Sequence, residues 1–173
     1  LNSKIFWNES LLNSLSSTPL SMIKLPIKRL GIVGSQQIIV DDLTLSLHRQ
    51  GHSIEVCSYI GWALGELADN SATHAKKYPA FIYFEQFGDD SRFLQLTIGD
   101  IGIGIPTSLK SNSRYTELDD ASALLTAFRP HVSGRPDEEN RGKGLTDVLK
   151  IAMESHSRLR VDSNGIGFNF IFN

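Results

Sequence analysis

The stretch from Ile54 to Lys76 constrains this chain most, because it reads as one long helix whose polar residues are gathered rather than scattered. Glu66, Asp69, Asn70 and Thr73 stand at i, i+3, i+4 and i+7, so four polar side chains line one face of an otherwise apolar helix. Such a helix packs against other elements around most of its girth. Its polar strip needs solvent or a ligand, and the helix is expected to stop before Pro79.

The flanking sequence supplies the packing partners. Leu11 to Ser21, rich in Ser, Leu and Asn with Pro19, reads as a loop, and Ser21 to Ile27 as an edge strand with Pro26 near its end. After a turn at Gly31 to Gly34, Ser35 can cap a helix in which Ile39, Leu43 and Leu47 recur every four residues, ending near Gly51. Phe81 to Phe87 and Phe93 to Gly99 form a hairpin about Gly88-Asp89-Asp90, with Leu94, Leu96 and Ile98 alternating with Gln95 and Thr97. Leu145, Val148, Leu149 and Ala152 mark an amphipathic helix. A second hairpin follows, with Leu159 and Val161 before an Asn164-Gly165 turn and Ile166, Phe168, Phe170 and Phe172 on one face. Helices and hairpins alternate without a strand-helix-strand repeat. The expected fold is therefore α+β, with a mixed, mostly antiparallel sheet covered by helices on one face, rather than a doubly wound parallel sheet. Thr107 to Asn140 offers one short helix, Glu117 to Phe128, in an otherwise polar stretch of flexible composition. Its place between two glycine motifs favours a lid.

At 173 residues with 40 % hydrophobic and 21 % charged residues, one domain with a real core is expected. Seventeen Lys and Arg against 19 Asp and Glu leave a net charge of -2, which gives no footprint for general nucleic-acid or membrane binding. Cys57 has no disulfide partner in the chain and reads as a buried, inert thiol in a reducing compartment. The longest apolar runs, such as Ala80 to Phe84, are far too short to cross a bilayer, so a cytoplasmic or cytoplasm-facing location is expected. The chain begins at Leu1 rather than Met, as a fragment of a longer protein would.

Three short segments carry chemistry. In Gly65 to Ser71 (G-E-L-A-D-N-S), Asn70 can give a neutral oxygen to Mg²⁺ while Glu66, one turn away, orients or deprotonates an attacking hydroxyl. In Asp100 to Pro106 (D-I-G-I-G-I-P), a carboxylate at a strand end can accept a hydrogen bond from an adenine amino group, and Gly102 and Gly104 let the backbone pass under a flat ring. In Arg141 to Leu145 (R-G-K-G-L), Gly142 and Gly144 flank Lys143 at a helix start, where free N–H groups can meet phosphate oxygens or simply open a helix. No G-x-x-x-x-G-K-[ST] P-loop is present, and Gly31-Ile32-Val33-Gly34 lacks the G-x-G-x-x-G spacing.

The order and separation of these segments resemble the GHKL superfamily of ATP-binding domains, found in histidine kinases, anti-sigma-factor kinases, type II topoisomerases, MutL proteins and heat-shock chaperones. The resemblance covers about Ser35 to Asn173 and implies a two-layer α/β sandwich of the Bergerat kind, with an ATP lid at about 107–141. It implies that Glu66 and Asn70 are the general base and Mg²⁺ ligand of an N box. It also assigns Asp100, Gly102 and Gly104 to adenine binding, and Gly142, Lys143 and Gly144 to a phosphate-facing G2 box. The stretch Asn70 to Ala75 looks most like anti-sigma-factor kinases and histidine-kinase catalytic domains, which often carry Lys or Arg at the position of Thr73. Arg135, Arg141 and Lys143 are candidates for the phosphate contact that Thr73 would otherwise share. Asn140 replaces the first glycine of the usual G-x-G-x-G.

The implied function is a Mg²⁺-ATP-binding catalytic domain that transfers the γ-phosphoryl group to His or Ser/Thr of a partner protein, as in two-component signalling. The alternative is an ATP-gated protein-binding module with slow or no hydrolysis; loss of nucleotide binding altogether is a third outcome, motivated by Thr73 and Asn140. Neither nucleic acid nor membrane is an expected partner. None of His48, His52, His74, His131 and His156 precedes an acidic residue, so the phosphoacceptor is expected on another protein or domain. Residues 1–34 read as a linker and edge strand, or as a homodimer surface.

Overall fold

The computed structural model describes residues 24–30, 35–75, 80–87, 93–134 and 142–172. Strand β1 (Lys24–Leu30) leads to helices α1 (Ser35–Arg49) and α2 (Ile54–Ala75), then to strands β2 (Ala80–Phe87) and β3 (Phe93–Asp100). Helix α3 (Ile105–Lys110), a 3-10 turn (Ser113–Tyr115) and helix α4 (Asp120–Thr126) follow. Helix α5 (Gly144–Glu154) and the hairpin of β4 (Arg158–Ser163) and β5 (Ile166–Ile171) complete the described chain. The loop expected at Leu11 to Ser21 and the turns at Gly31 to Gly34 and Gly88 to Asp90 lie outside the described residues.

Periodicity explains the first layer. Along α1, Val40, Leu43 and Leu47 turn the same way, and along α2, Cys57, Leu64 and Ala68 do so. Both rows close on Ile82 and Phe84 of β2, with Leu94, Leu96 and Ile98 of β3 packed around them, so two helices cover one face of a sheet of order β1-β2-β3. Phe84, Leu47 and Leu64 are all but fully buried there, as is the thiol of Cys57. Every pairing in this sheet is antiparallel. The edge strand is described over Lys24–Leu30, overlapping the expected Ser21 to Ile27, and its register slips between Leu25 and Lys28, beside Pro26, which has no N–H to give the ladder.

Two expectations are corrected. The second hairpin forms its own two-stranded antiparallel sheet instead of extending the first. The end of that hairpin is occupied in holding the start of α3, as described below. The stretch after Thr107 holds α3 and a 3-10 turn besides the expected helix, which is α4 within Glu117 to Phe128: Leu109, Ala123 and Ala127 form a second buried cluster with Ile105, Tyr115, Leu118, Val132 and Leu145 around it. Asp119 caps α4, accepting the Ser122 N–H at Oδ1 and the Ser122 hydroxyl at Oδ2, both at 2.8 Å. These hydrogen bonds, led by the backbone one, hold the Asp119 carboxyl below the usual carboxylate range. Residues 135–141 of the expected lid lie outside the described residues. Among the described residues, no helix is long and apolar enough to cross a membrane.

Candidate functional site

The polar strip of α2 is met by the first residue of α5. A Cβ placed on Gly144 would lie 2.6 Å from Oε2 of Glu66 and 3.2 Å from Nδ2 of Asn70, so the α5 backbone approaches both side chains as only glycine allows. The amino end of α5, where N–H groups lack helical acceptors and the helix dipole is positive, therefore stands over Glu66 and Asn70. Two segments more than seventy residues apart in sequence thus make one cluster.

Within that cluster the Asn70 nitrogen Nδ2 is buried and has no hydrogen-bond partner among the described residues. An orphaned buried amide costs about 1–3 kcal/mol, and such groups in folded proteins commonly await a ligand, ion or water. A half-turn of the amide exchanges Nδ2 for Oδ1, so the same position can present an acceptor. Among the described residues no three His, Cys, Asp or Glu side chains converge as a metal-holding group. Any Mg²⁺ beside Asn70 would take most of its oxygen ligands from phosphate and water, which is its usual habit. Asp69 on the same strip is exposed, and the Thr73 side chain lies outside the described ones.

The Asp100 turn is anchored elsewhere. Oδ1 of Asp100 accepts the Gly102 N–H at 2.7 Å, folding the chain back at the end of β3. Two residues on, Gly104 has φ 81° and is pressed against the side chains of Ser163 and Asn164, so neither its conformation nor its surroundings admit a Cβ. The Ile105 N–H donates to Oγ of Ser163 at 2.9 Å, and Nδ2 of Asn164 donates to Oγ1 of Thr107 at 2.8 Å. The β4–β5 turn therefore caps the start of α3. Ser163 is buried, so Ser163→Ala leaves the Ile105 N–H short of an acceptor; about 1–3 kcal/mol of stability should disappear in urea denaturation.

The third segment is fixed to the helices before it. Gly142 has φ 83°, and a Cβ there would meet the backbone of Val132 at 2.5–2.8 Å. Its carbonyl accepts the His131 N–H at 3.0 Å, with His131 itself at φ 62°. From the other side, Nδ2 of buried Asn112 donates to the Ser133 carbonyl at 2.9 Å, while the Thr146 hydroxyl donates to the Phe128 carbonyl at 3.1 Å. Phe128 also stacks obliquely on Phe170 of β5, ring centres 5.2 Å apart. Helices α3 and α4 are thus tied to both α5 and the second hairpin.

Of the residues marked from the sequence, Glu66, Asn70 and Gly144 come together directly. Asp100, Gly102 and Gly104 form a turn of their own, and Gly142 holds the start of α5 against Val132. Lys143 is exposed at the amino end of α5, a position from which its ammonium can reach an incoming anion. Arg135, Asn140 and Arg141 lie outside the described residues. Ser163, Asn164 and His131 were not expected to bear on the site; the Asn164-Gly165 pair announced a turn, but nothing in its spacing showed what the turn would touch. No protein-family model and no curated protein matches this chain.

Proposed function

We propose that this chain is a GHKL-type Mg²⁺-ATP-binding domain, a two-layer sandwich that passes the γ-phosphoryl group of ATP to a side chain of a partner protein. The observation that carries the proposal is the approach of Gly144 to Glu66 and Asn70, with a buried amide nitrogen left unpartnered at the point of contact. A helix amino end, a carboxylate and a free amide within a few ångströms form a set suited to an anion and its cation.

In this proposal the Asp100 carboxylate keeps Oδ1 on the Gly102 N–H and has Oδ2 to accept the adenine amino group. The amino end of α5 and Lys143 receive the phosphates, Asn70 holds the metal, and Glu66 takes the proton of the attacking hydroxyl. Bound Mg²⁺ would supply charge neutralisation between phosphate oxygens. The remaining contribution is positioning by α2 and α5, which is most of what phosphoryl transfer asks of a protein. A cytoplasm-facing location and a phosphoacceptor on a partner belong to the same proposal.

Titration calorimetry with Mg²⁺-ATP is the direct test. Asp100→Asn replaces an acceptor by an amide whose nitrogen faces the adenine amino group or the Gly102 N–H, and should weaken binding about 10- to 100-fold, as loss of a charge-assisted hydrogen bond does. An intact protein that gives no isotherm at millimolar nucleotide would remove the proposal. Labelled ATP with candidate partners should yield a phosphoprotein that Asn70→Ala no longer makes.

A further inference from the structure

A second surface lies on the same helix, running from the proposed nucleotide site toward the amino end of α2. On α2, Glu55, Tyr59, Trp62 and Glu66 stand at i, i+4, i+7 and i+11, so the strip that ends in the candidate site begins with two aromatic rings and a carboxylate. Helix α5 packs beside it, with Gly144 at its start against Glu66, and the charge of Glu154 at its other end bears on Tyr59. The Tyr59 hydroxyl reaches Oε1 of Glu55 at 3.4 Å, and its pKa is raised by desolvation first and then by the charges of Glu55 and Glu154.

Beside this pair of carboxylates the apolar surface is open. Ile54 is 73 % exposed, Trp62 62 % and Met153 52 %. Helix α1 packs along the other flank of α2 at Gly61, where an added Cβ would meet Cγ2 of Thr44 at 2.9 Å. Between the flanks, Ser58 is small and a Cβ on Gly65 would meet nothing within 4 Å, so Trp62 rises from a low floor. The neighbouring cation Lys150 sits 3.4 Å from the Asp147 carboxylate, while Glu55 and Glu154 are both exposed at the Tyr59 end.

We propose that this strip is a docking surface for a basic amphipathic helix of a partner protein, with Trp62 as the apolar anchor and Glu55 and Glu154 pairing with its Lys or Arg. An exposed tryptophan flanked by acidic groups suits such a segment, since the ring takes both an aliphatic neighbour and a cation over its face. The same charges disfavour the other occupants. A second copy docked symmetrically would set one acidic surface against another, and an anionic membrane or nucleic acid would be repelled. The proposal does not depend on nucleotide binding.

The test is calorimetry of the full chain with a synthetic helical peptide of about five turns, carrying a leucine stripe flanked by Lys and Arg, and with a twin carrying Glu in their place. The basic peptide should bind, lose affinity as salt rises, and bind at least about tenfold more weakly to Trp62→Ala and to the double variant Glu55→Lys, Glu154→Lys; the acidic twin should bind wild type no better than it binds Trp62→Ala. The varied side chains, Glu55, Trp62 and Glu154, are exposed, so unchanged melting by circular dichroism should separate a lost surface from a lost fold. Equal binding of both peptides, or unchanged binding to the variants, would overturn the proposal. So would a sedimentation dimer that Trp62→Ala dissociates, because the occupant would then be a second copy.

Discussion

Glu66→Gln is expected to lower ATP turnover by about 10²- to 10⁴-fold while leaving Mg²⁺-ATP affinity within a few-fold of wild type. The substitution keeps the shape that faces Gly144 and removes the basic oxygen. A general base acts on a proton in transit, so its loss belongs in turnover rather than in ground-state binding. Calorimetry and phosphate release on the same preparation read the two quantities separately. Joint loss of both would make Glu66 a packing partner of α5, and unchanged turnover would take the base role away from it.

Gly144→Val should abolish measurable nucleotide binding and also destabilise the fold, by about 1–3 kcal/mol in urea denaturation. The first added carbon falls 2.6 Å from the Glu66 carboxylate, so either α5 retreats or Glu66 and Asn70 swing away, and each alternative opens the cluster. Gly65→Ala supplies the contrast, one residue from Glu66 on the same helix. Its new methyl would meet nothing within 4 Å, and replacing a mid-helix glycine should stabilise the protein by about 0.5–1 kcal/mol with binding retained. Gly144 opens α5 against Glu66 and Asn70, whereas Gly65 lies inside α2 with open space around it, so equal effects on nucleotide binding would show that the approach of α5 to α2 has no bearing on the site.

Long periods were legible in the sequence and short ones were not. The sustained rows on α1 and α2, the alternation along β3 and the Asn164-Gly165 turn each repeat often enough to declare their element, and their bounds fall within a few residues of expectation. Helix α3 has six residues, less than two full turns, so Ile105 and Leu109 establish no period, whereas the seven residues of α4 fall inside the helix expected from Glu117 to Phe128. Local signals did exist there: Pro106 sits in the first turn of α3, where its missing N–H does no harm, and Asp119 stands as the capping residue of α4. The site divides in the same way. Helical spacing alone places Glu66 beside Asn70, whereas the meeting of that pair with Gly144 depends on how two helices pack, and the support of Gly104 by Ser163 and Asn164 depends on a contact between segments far apart in sequence.

That last contact governs when the turn after Asp100 can set. The Ile105 to Ser163 hydrogen bond joins residues 58 apart, and the Asn164 to Thr107 bond joins residues 57 apart, so the turn after Asp100 is completed only when nearly the whole described chain is in place. Contacts of such long range form late, because the intervening chain must first be ordered. A nascent chain emerging from the ribosome would carry all three glycine-bearing segments before Ser163 and Asn164 arrive to fasten the second, and a chain ending short of Ser163 would keep every motif without the fastening that sets the second one in shape.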